Sequence, residues 1–519
     1  MGGESVLAWL HAWSLWLHAH RWEFLAWGQG HWRFLLWAVG GLWGAILCWQ
    51  VGVFSGRGLF LGRGWFSGRT ARDARWASWR DLRRARLRGT TGIVVGRIGR
   101  HILRYSGVAH VFVVAATQTG KTRSLVSSTL LEPHPSTSLI VFDPKGELYD
   151  RTAAYRATVS RVIKLAPCTD DTDCYNPFDA VRLGMPHEVA DLQLLGEMLV
   201  NPSGITYTHE GSIHFLHLTA IALRGLVCYG LRTMPGFALG DLFLLITQGH
   251  LLDTLKQMQA DTHPLVRQAG ALADLDTVTF RNVHATLLRT VELYADPFMA
   301  DMTTKSDFAL SDLRQGPQPL TIYLSVPFQH LERTRSFTNL VLWQLLSHAT
   351  AVPSSWRRQG YWKVLAMGEE FPSLGRLEIA ARTLNHGAGL GVQLCVIAPS
   401  LNTIEEVWGI HHNFLETSHV QVYFGITDEK VAGRISRRIG ERTVRDTQVS
   451  WHPKWGRTVT YSTRKQPLMS SSDVTHMHED EVLILARKYQ VIAQQAPWDQ
   501  WKPWRSRGTE EAHALTATP

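Results

Sequence analysis

Two short stretches hold the residue types that handle phosphate. The first is Ala115-Ala-Thr-Gln-Thr-Gly-Lys-Thr122, which fits the GxxxxGK[ST] pattern except that Ala115 stands at the first glycine. In such a loop, consecutive main-chain N–H groups at a helix N-terminus cradle a β-phosphate. Lys121 reaches the β/γ oxygens, and Thr122 offers a hydroxyl to Mg²⁺. Ala115, Ala116, Thr117, Gln118, Thr119, Gly120, Lys121, Thr122 and Arg123 are therefore the candidate ATP-binding residues. The second stretch is Leu365-Ala-Met-Gly-Glu-Glu370, an apolar run that ends in two acids. Glu369 is the candidate to hold Mg²⁺ through water and Glu370 to polarise an attacking water, with Lys121 and Glu370 as the catalytic pair.

The surrounding pattern supplies elements to position both stretches. The strand-like run Val111 to Val114 enters the loop, and the helix-like run Arg123 to Leu131 leaves it. Further strand patterns are read at Ser138 to Asp143, Arg161 to Leu165, Leu320 to Leu324, Lys363 to Met367, Val392 to Ile397 and Val420 to Phe424. Helix-like stretches separate most of them, so the sequence predicts an α/β fold with a parallel sheet covered on both faces. Ligands bind at the carboxyl ends of strands in such sheets, where both acidic and phosphate-loop stretches fall.

Lys121 and Glu369 are 248 positions apart. At about 30 residues per βαβ unit, the intervening strands need only roughly 120. The surplus shows helical periodicity at 187–201, 213–232, 239–247, 251–260 and 265–295. The expected division is 101–185 as the first part of the nucleotide-binding domain, 186–302 as an inserted all-α domain, 303–497 as the second part and 498–519 as a tail. The 213–232 stretch is apolar enough to raise the question of a membrane span, but His214, His217 and Arg224 favour a buried soluble helix.

Charge is distributed unevenly. Residues 1–100 hold 14 Arg, no Lys, two Asp and two Glu, a balance of +10 against +9 for the whole chain. The remainder is close to neutral and offers no broad phosphate-binding surface, so any DNA contact must use local Lys/Arg clusters. From Phe34 to Phe54 the chain runs 21 residues with Gln50 as its only strongly polar side chain. That length matches a hydrocarbon core of about 30 Å, and Trp37 and Trp49 sit near its ends. Residues 1–56 read as a membrane anchor with a span at 34–54 and a probable first helix at 6–27. Residues 57–100, with twelve arginines, read as a juxtamembrane linker. Positive flanks stay cytoplasmic, which places the bulk of the chain on the cytoplasmic side of the membrane.

Five cysteines in 519 residues exclude a disulfide-built scaffold. Cys168 and Cys174 read as ordinary thiols. His209, His214 and His217, and His476 and His478, cluster in sequence but lack a complete ligand set, so no metal site beyond Mg²⁺ is expected.

The residues resemble the coupling proteins of type IV secretion and conjugation, the TraG/TraD kind of P-loop ATPase. The marks are Phe142-Asp-Pro-Lys-Gly-Glu-Leu148, Tyr175-Asn-Pro-Phe-Asp179, Glu369-Glu-Phe-Pro-Ser-Leu-Gly-Arg-Leu-Glu378, and Val420 to Asp428 followed by Ile435-Ser436. The resemblance implies a RecA/FtsK-like ATPase domain with an inserted all-α domain and N-terminal transmembrane helices. It implies a homo-hexamer that receives relaxase–DNA or protein substrate and delivers it to the secretion-channel proteins of the inner membrane. Three positions depart from the family pattern: Ala115, Glu369 where aspartate is usual, and Pro399 where a sensor glutamine is usual. Arg376 and Arg382 are candidates for an arginine acting in trans. A substrate-recruiting scaffold with impaired hydrolysis and an FtsK-like DNA translocase are the competing functions.

Overall fold

The computed structural model describes residues 73–203, 210–452 and 456–508. The expected anchor, the first part of the expected linker, His209 and the end of the tail lie outside these residues. The described chain falls into two units, one holding residues 443–465 and the other the rest.

The larger unit is organised by an eleven-stranded sheet in the order β2-β1-β13-β12-β9-β3-β8-β7-β4-β6-β5. Seven strands are parallel: β3 (Val111–Ala115), β4 (Thr137–Phe142), β5 (Arg161–Leu165), β6 (Leu320–Leu324), β7 (Lys363–Gly368), β8 (Val392–Ala398) and β9 (Val420–Phe424). These are the seven strands read from the sequence. Their central members send alternate side chains to opposite faces. Phe112 and Val114 enter one core while Val111, Val113 and Ala115 enter the other, and Ile140 and Phe142 face away from Leu139 and Val141. A strand buried on both faces reads as a continuous apolar run, which is why the central strands were visible.

Four further strands extend the sheet antiparallel beyond β9: β12 (Glu481–Ala486), β13 (Tyr489–Gln494), β1 (Ile93–Ile98) and β2 (His101–Tyr105). This corrects the expected linker at 57–100, since ordered structure is present from residue 73. A helix at Trp79–Arg84 is capped by Ser78 and Asp81, and β1 follows it. Leu82, Leu87, Ile93, Val94 and Val95 are buried while Arg83, Arg84, Arg86 and Arg88 remain exposed. Arginine-rich composition therefore hid a segment whose apolar positions are core. The tail boundary at 498 is corrected as well. Trp504 is buried, and its ring N–H donates to Glu132 Oε1 at 3.0 Å. Arg104 donates to the same oxygen at 2.8 Å.

Between β5 and β6 the described residues contain helices and no strand. The principal ones are Glu188–Val200, Glu210–Thr233, Leu239–Thr247, Leu251–Met258, Pro264–Gly270, Thr277–Val291 and Pro297–Met302. The pattern read as one helix at 265–295 is two, because Asp276 caps a new start by accepting from the N–H groups of Val278 and Thr279. The long apolar helix Glu210–Thr233 buries Ala222, Leu223, Leu226 and Val227 in the same core that lies under the sheet. Residues 443–452 and 456–465 belong to two strands, β10 (Glu441–His452) and β11 (Gly456–Pro467), which pair with each other. There Trp451, Val449 and Tyr461 are exposed, and Arg464 pairs with Asp446.

Replacing Trp504 by Ala should lower the unfolding free energy by about 3–5 kcal/mol, the usual cost of removing a buried large aromatic. The shift in the urea midpoint of the full chain measures it, and a change below about 1 kcal/mol would mean that the segment after β13 is not part of the folded core.

Candidate nucleotide-binding site

The carboxyl ends of five neighbouring parallel strands, β9, β3, β8, β7 and β4, deliver Gly425, the phosphate loop, Pro399, Glu369 and Asp143 to one edge of the sheet. Ala115 is the last residue of β3, pairs in register with Phe424 and is fully buried. Its φ is not positive, so a methyl group is accommodated there without backbone strain. The missing first glycine is thus a packing change and leaves the loop path intact. The turn itself is made at Gln118 (φ 64°) and Gly120 (φ 83°). A Cβ on Gly120 would lie 2.5 Å from Gln495 Oε1, and one on Gly425 would lie 2.8 Å from the Thr119 side chain. Thr119 closes the turn by donating its hydroxyl to Ala116 O at 2.8 Å, and a single π-helical turn at Thr122–Val126 leads into the helix Ser127–Leu130.

Lys121 is 7 % exposed, at the edge of the core. Thr122 donates its hydroxyl to Glu369 Oε1, bringing together residues 247 positions apart. One strand, β8, separates β3 from β7, so this contact spans about 10 Å of sheet. Burial pushes the Glu369 carboxyl above its usual range, and the Thr122 hydrogen bond opposes that shift. Asp143, at the end of neighbouring β4, adds to it. Asp143 itself is fully buried. Its Oδ2 accepts from the N–H groups of Leu148 (2.9 Å) and Tyr149 (3.0 Å), while Oδ1 has no hydrogen-bond partner. Burial pushes this carboxyl up too.

A hydroxyl, a buried carboxylate and a second carboxylate with a free oxygen form an all-oxygen donor set that suits Mg²⁺. The unpartnered Asp143 oxygen is the observation that favours a cation here, because an orphaned buried carboxylate is costly. Asp143 was absent from the site read in the sequence, although its position at the end of a buried strand was a usable signal.

Glu370 has left-handed backbone (φ 54°), and its side chain faces Lys145 Nζ at 3.9 Å. A non-glycine residue held in that conformation beside a ligand edge is typical of functional positions. The Arg123 side chain is committed to Asp499, with a forked pair at 2.8 and 2.5 Å. Gln495, which no sequence signal marked, donates to Thr119 O at 2.9 Å and accepts from the Ser124 hydroxyl at 2.8 Å. Pro399 stands beside the loop, after Ala398 in register with Val114. Arg376 and Arg382 are exposed, Arg376 at 3.9 Å from Glu378.

The family described as type IV secretory system conjugative DNA transfer matches residues 75–510. The chain belongs to that family. It is 27 % identical over 457 residues to a conjugal transfer protein TraG of Escherichia coli, covering 78 % of this chain and 70 % of that protein. It is 26 % identical over 436 residues to VirD4 of Agrobacterium fabrum, covering 80 % of this chain and 63 % of the relative. Among solved structures it is similar to the bacterial conjugative coupling protein TrwBdeltaN70, with a TM-score of 0.62, 16 % identity, and coverage of 84 % and 94 %. TrwB in complex with a non-hydrolysable ATP analogue superposes with a TM-score of 0.59 at 15 % identity, covering 84 % and 95 %. TrwB with ADP and Mg²⁺ gives 0.58 at 16 %, covering 83 % and 96 %. The shared fold is a mixed sheet of mostly parallel strands with a phosphate loop at its carboxyl edge.

Two outcomes follow from this geometry. Replacing Gly120 by Ala should weaken binding of a fluorescent ATP analogue by at least tenfold, through strain at positive φ and collision with Gln495; unchanged affinity would show that the loop does not hold phosphate in this shape. The raised carboxyls of Glu369 and Asp143 keep their protons at a higher pH than ordinary acids of about 4. Protons compete with the metal, so Mg²⁺-dependent nucleotide binding should weaken as pH falls through the acidic range above about 4, before ordinary carboxylates take up protons. A flat profile over that window would contradict the assignment.

Proposed function

We propose that this chain is a membrane-anchored, Mg²⁺-dependent ATPase. It recruits a relaxase–DNA or protein substrate and drives its delivery to the inner-membrane proteins of a type IV secretion channel. The observation that carries the reading is the Thr122–Glu369 contact beside the free oxygen of Asp143, in a member of the conjugative DNA-transfer family. In this reading the main-chain amides from Ala115 to Arg123 hold the phosphates and Lys121 neutralises the β/γ oxygens. Thr122 and Glu369 hold the metal directly or through water, and Glu370 turns from Lys145 to orient the attacking water. Bound Mg²⁺ would supply charge neutralisation between the β- and γ-phosphates.

In this reading the chain assembles as a hexameric ring with nucleotide between its copies, and Arg376 or Arg382 of a neighbour completes the site. Both are exposed and free of strong pairing, as that role requires. The apolar 34–54 stretch would tether the ring to the inner membrane with the sheet and helical layers in the cytoplasm.

One observation favours a second reading, a substrate-docking scaffold with slow hydrolysis. Proline at 399 removes the side-chain donor beside the γ-phosphate position.

The two readings separate on one comparison. With full-length chain, replacing Lys121 by Ala should cut DNA-stimulated ATP hydrolysis by about 100-fold or more and abolish DNA transfer in cells lacking their own copy. Transfer at wild-type frequency by that variant would leave only the scaffold. For the anchor, a reporter fused after residue 60 should behave as cytoplasmic, and a periplasmic signal would reverse the topology.

A further inference from the structure

Three side chains that phosphate chemistry does not use meet inside the helical layer. Glu188 opens the helix Glu188–Val200, Cys228 lies within Glu210–Thr233, and His263 directly precedes Pro264–Gly270. Cys228 Sγ is 3.4 Å from His263 Nδ1 and 3.9 Å from Glu188 Oε1, and His263 Nε2 is 3.5 Å from that same oxygen. The thiol is fully buried, and Glu188 is 8 % exposed. A carboxylate this buried needs a cationic partner. Among the described residues no lysine or arginine pairs with it, and its ionic neighbour is the His263 ring.

The cluster is also held in place from outside. The second Glu188 oxygen accepts from Gly184 N–H at 2.8 Å, which leaves Oε1 facing the thiol and the ring. Asp261 accepts from the His263 N–H at 2.7 Å, fixing the loop that carries the imidazole. Such supporting bonds are what orient metal ligands.

We propose that Glu188 Oε1, Cys228 Sγ and one ring nitrogen of His263 bind zinc, with water in the fourth position. Zinc takes sulfur, imidazole and carboxylate ligands at about 2.0–2.3 Å, so ligand atoms on its tetrahedron are about 3.5 Å apart. The separations observed, 3.4 to 3.9 Å, match that spacing. The ring presents a different nitrogen to each neighbour, so a small pivot brings one of them to the shared centre. A thiolate and an imidazole favour zinc over Mg²⁺ or Ca²⁺, which separates this site chemically from the one at the sheet edge. On binding, the Cys228 thiol releases its proton to solvent while the carboxylate and neutral imidazole donate lone pairs. The ion joins the starts of two helical segments to the middle of a third, so its role is to lock the helical layer. The His214 and His217 side chains, close in sequence to Cys228, are exposed and stand outside the cluster.

The test uses the full-length chain purified without a polyhistidine tag, stripped with chelator and then titrated with zinc alone or cobalt alone. The expected result is one tightly bound zinc per chain by elemental analysis. The cobalt form should show a thiolate-to-metal charge-transfer band in the near ultraviolet. Cys228→Ser and His263→Ala should each weaken zinc by more than the ~10–100-fold that loss of a supporting group costs. Because the cobalt spectrum is read on the unsubstituted protein, a variant that fails to fold does not blunt the test. Absence of bound zinc, a cobalt spectrum without the sulfur band, or full retention of zinc by folded Cys228→Ser would each overturn the site.

Discussion

Burial of both faces of the central parallel strands is the constraint from which the rest follows. No polar side chain can stand on the middle of β3, β4, β7 or β8 without displacing one of two apolar cores. Polar chemistry is therefore pushed to the strand ends. Right-handed crossovers between parallel strands bring the carboxyl ends of all seven to one edge. The phosphate loop, Glu369 and Asp143 converge there for the same reason that the cores are dry. The helical layer between β5 and β6 extends the same apolar core.

What could be read from the chain, and what could not, divides along this line. Mostly apolar runs such as Val111 to Val114 and Leu394 to Ile397 identify buried strands with little ambiguity; β5, with Arg161 exposed and Lys164 half-buried, is an edge strand outside that pattern. The antiparallel strands β1, β2 and β13 lie at the sheet's far edge, with exposed or half-exposed residues such as His101, Arg97 and Gln494 between their buried ones. Their pattern resembles surface chain, and in β1 it was also masked by arginines. Asp276 shows a different failure. Helical periodicity continues across it, while its side chain starts a new helix by taking two backbone N–H groups.

At the site, the loop and Glu369 were legible because motif and strand coincide. Gln495 and Asp499 were not, since nothing local distinguishes them from any polar residue after a strand; only the fold reveals that the chain after β13 reaches the loop, although β12 and β9 lie between β13 and β3 in the sheet. The trio of Glu188, Cys228 and His263 was invisible for a similar reason. Its members are 40 and 35 positions apart, with no ligand spacing to betray them. Of the departures from the family pattern, Ala115 is absorbed by packing and Glu369 still reaches Thr122, so only Pro399 removes a hydrogen-bonding group from the edge.

The grip of Gln495 and Asp499 on Thr119, Ser124 and Arg123 has a consequence for how the molecule is made. Synthesis runs from the N-terminus, so the loop emerges from the ribosome long before the residues that brace it. Until residues 495–499 have been translated, the loop lacks its bracing side chains, and the nascent protein carries an unfinished pocket. The bracing of the loop is complete only once residues 495–499 have been made, more than 370 positions after the loop itself.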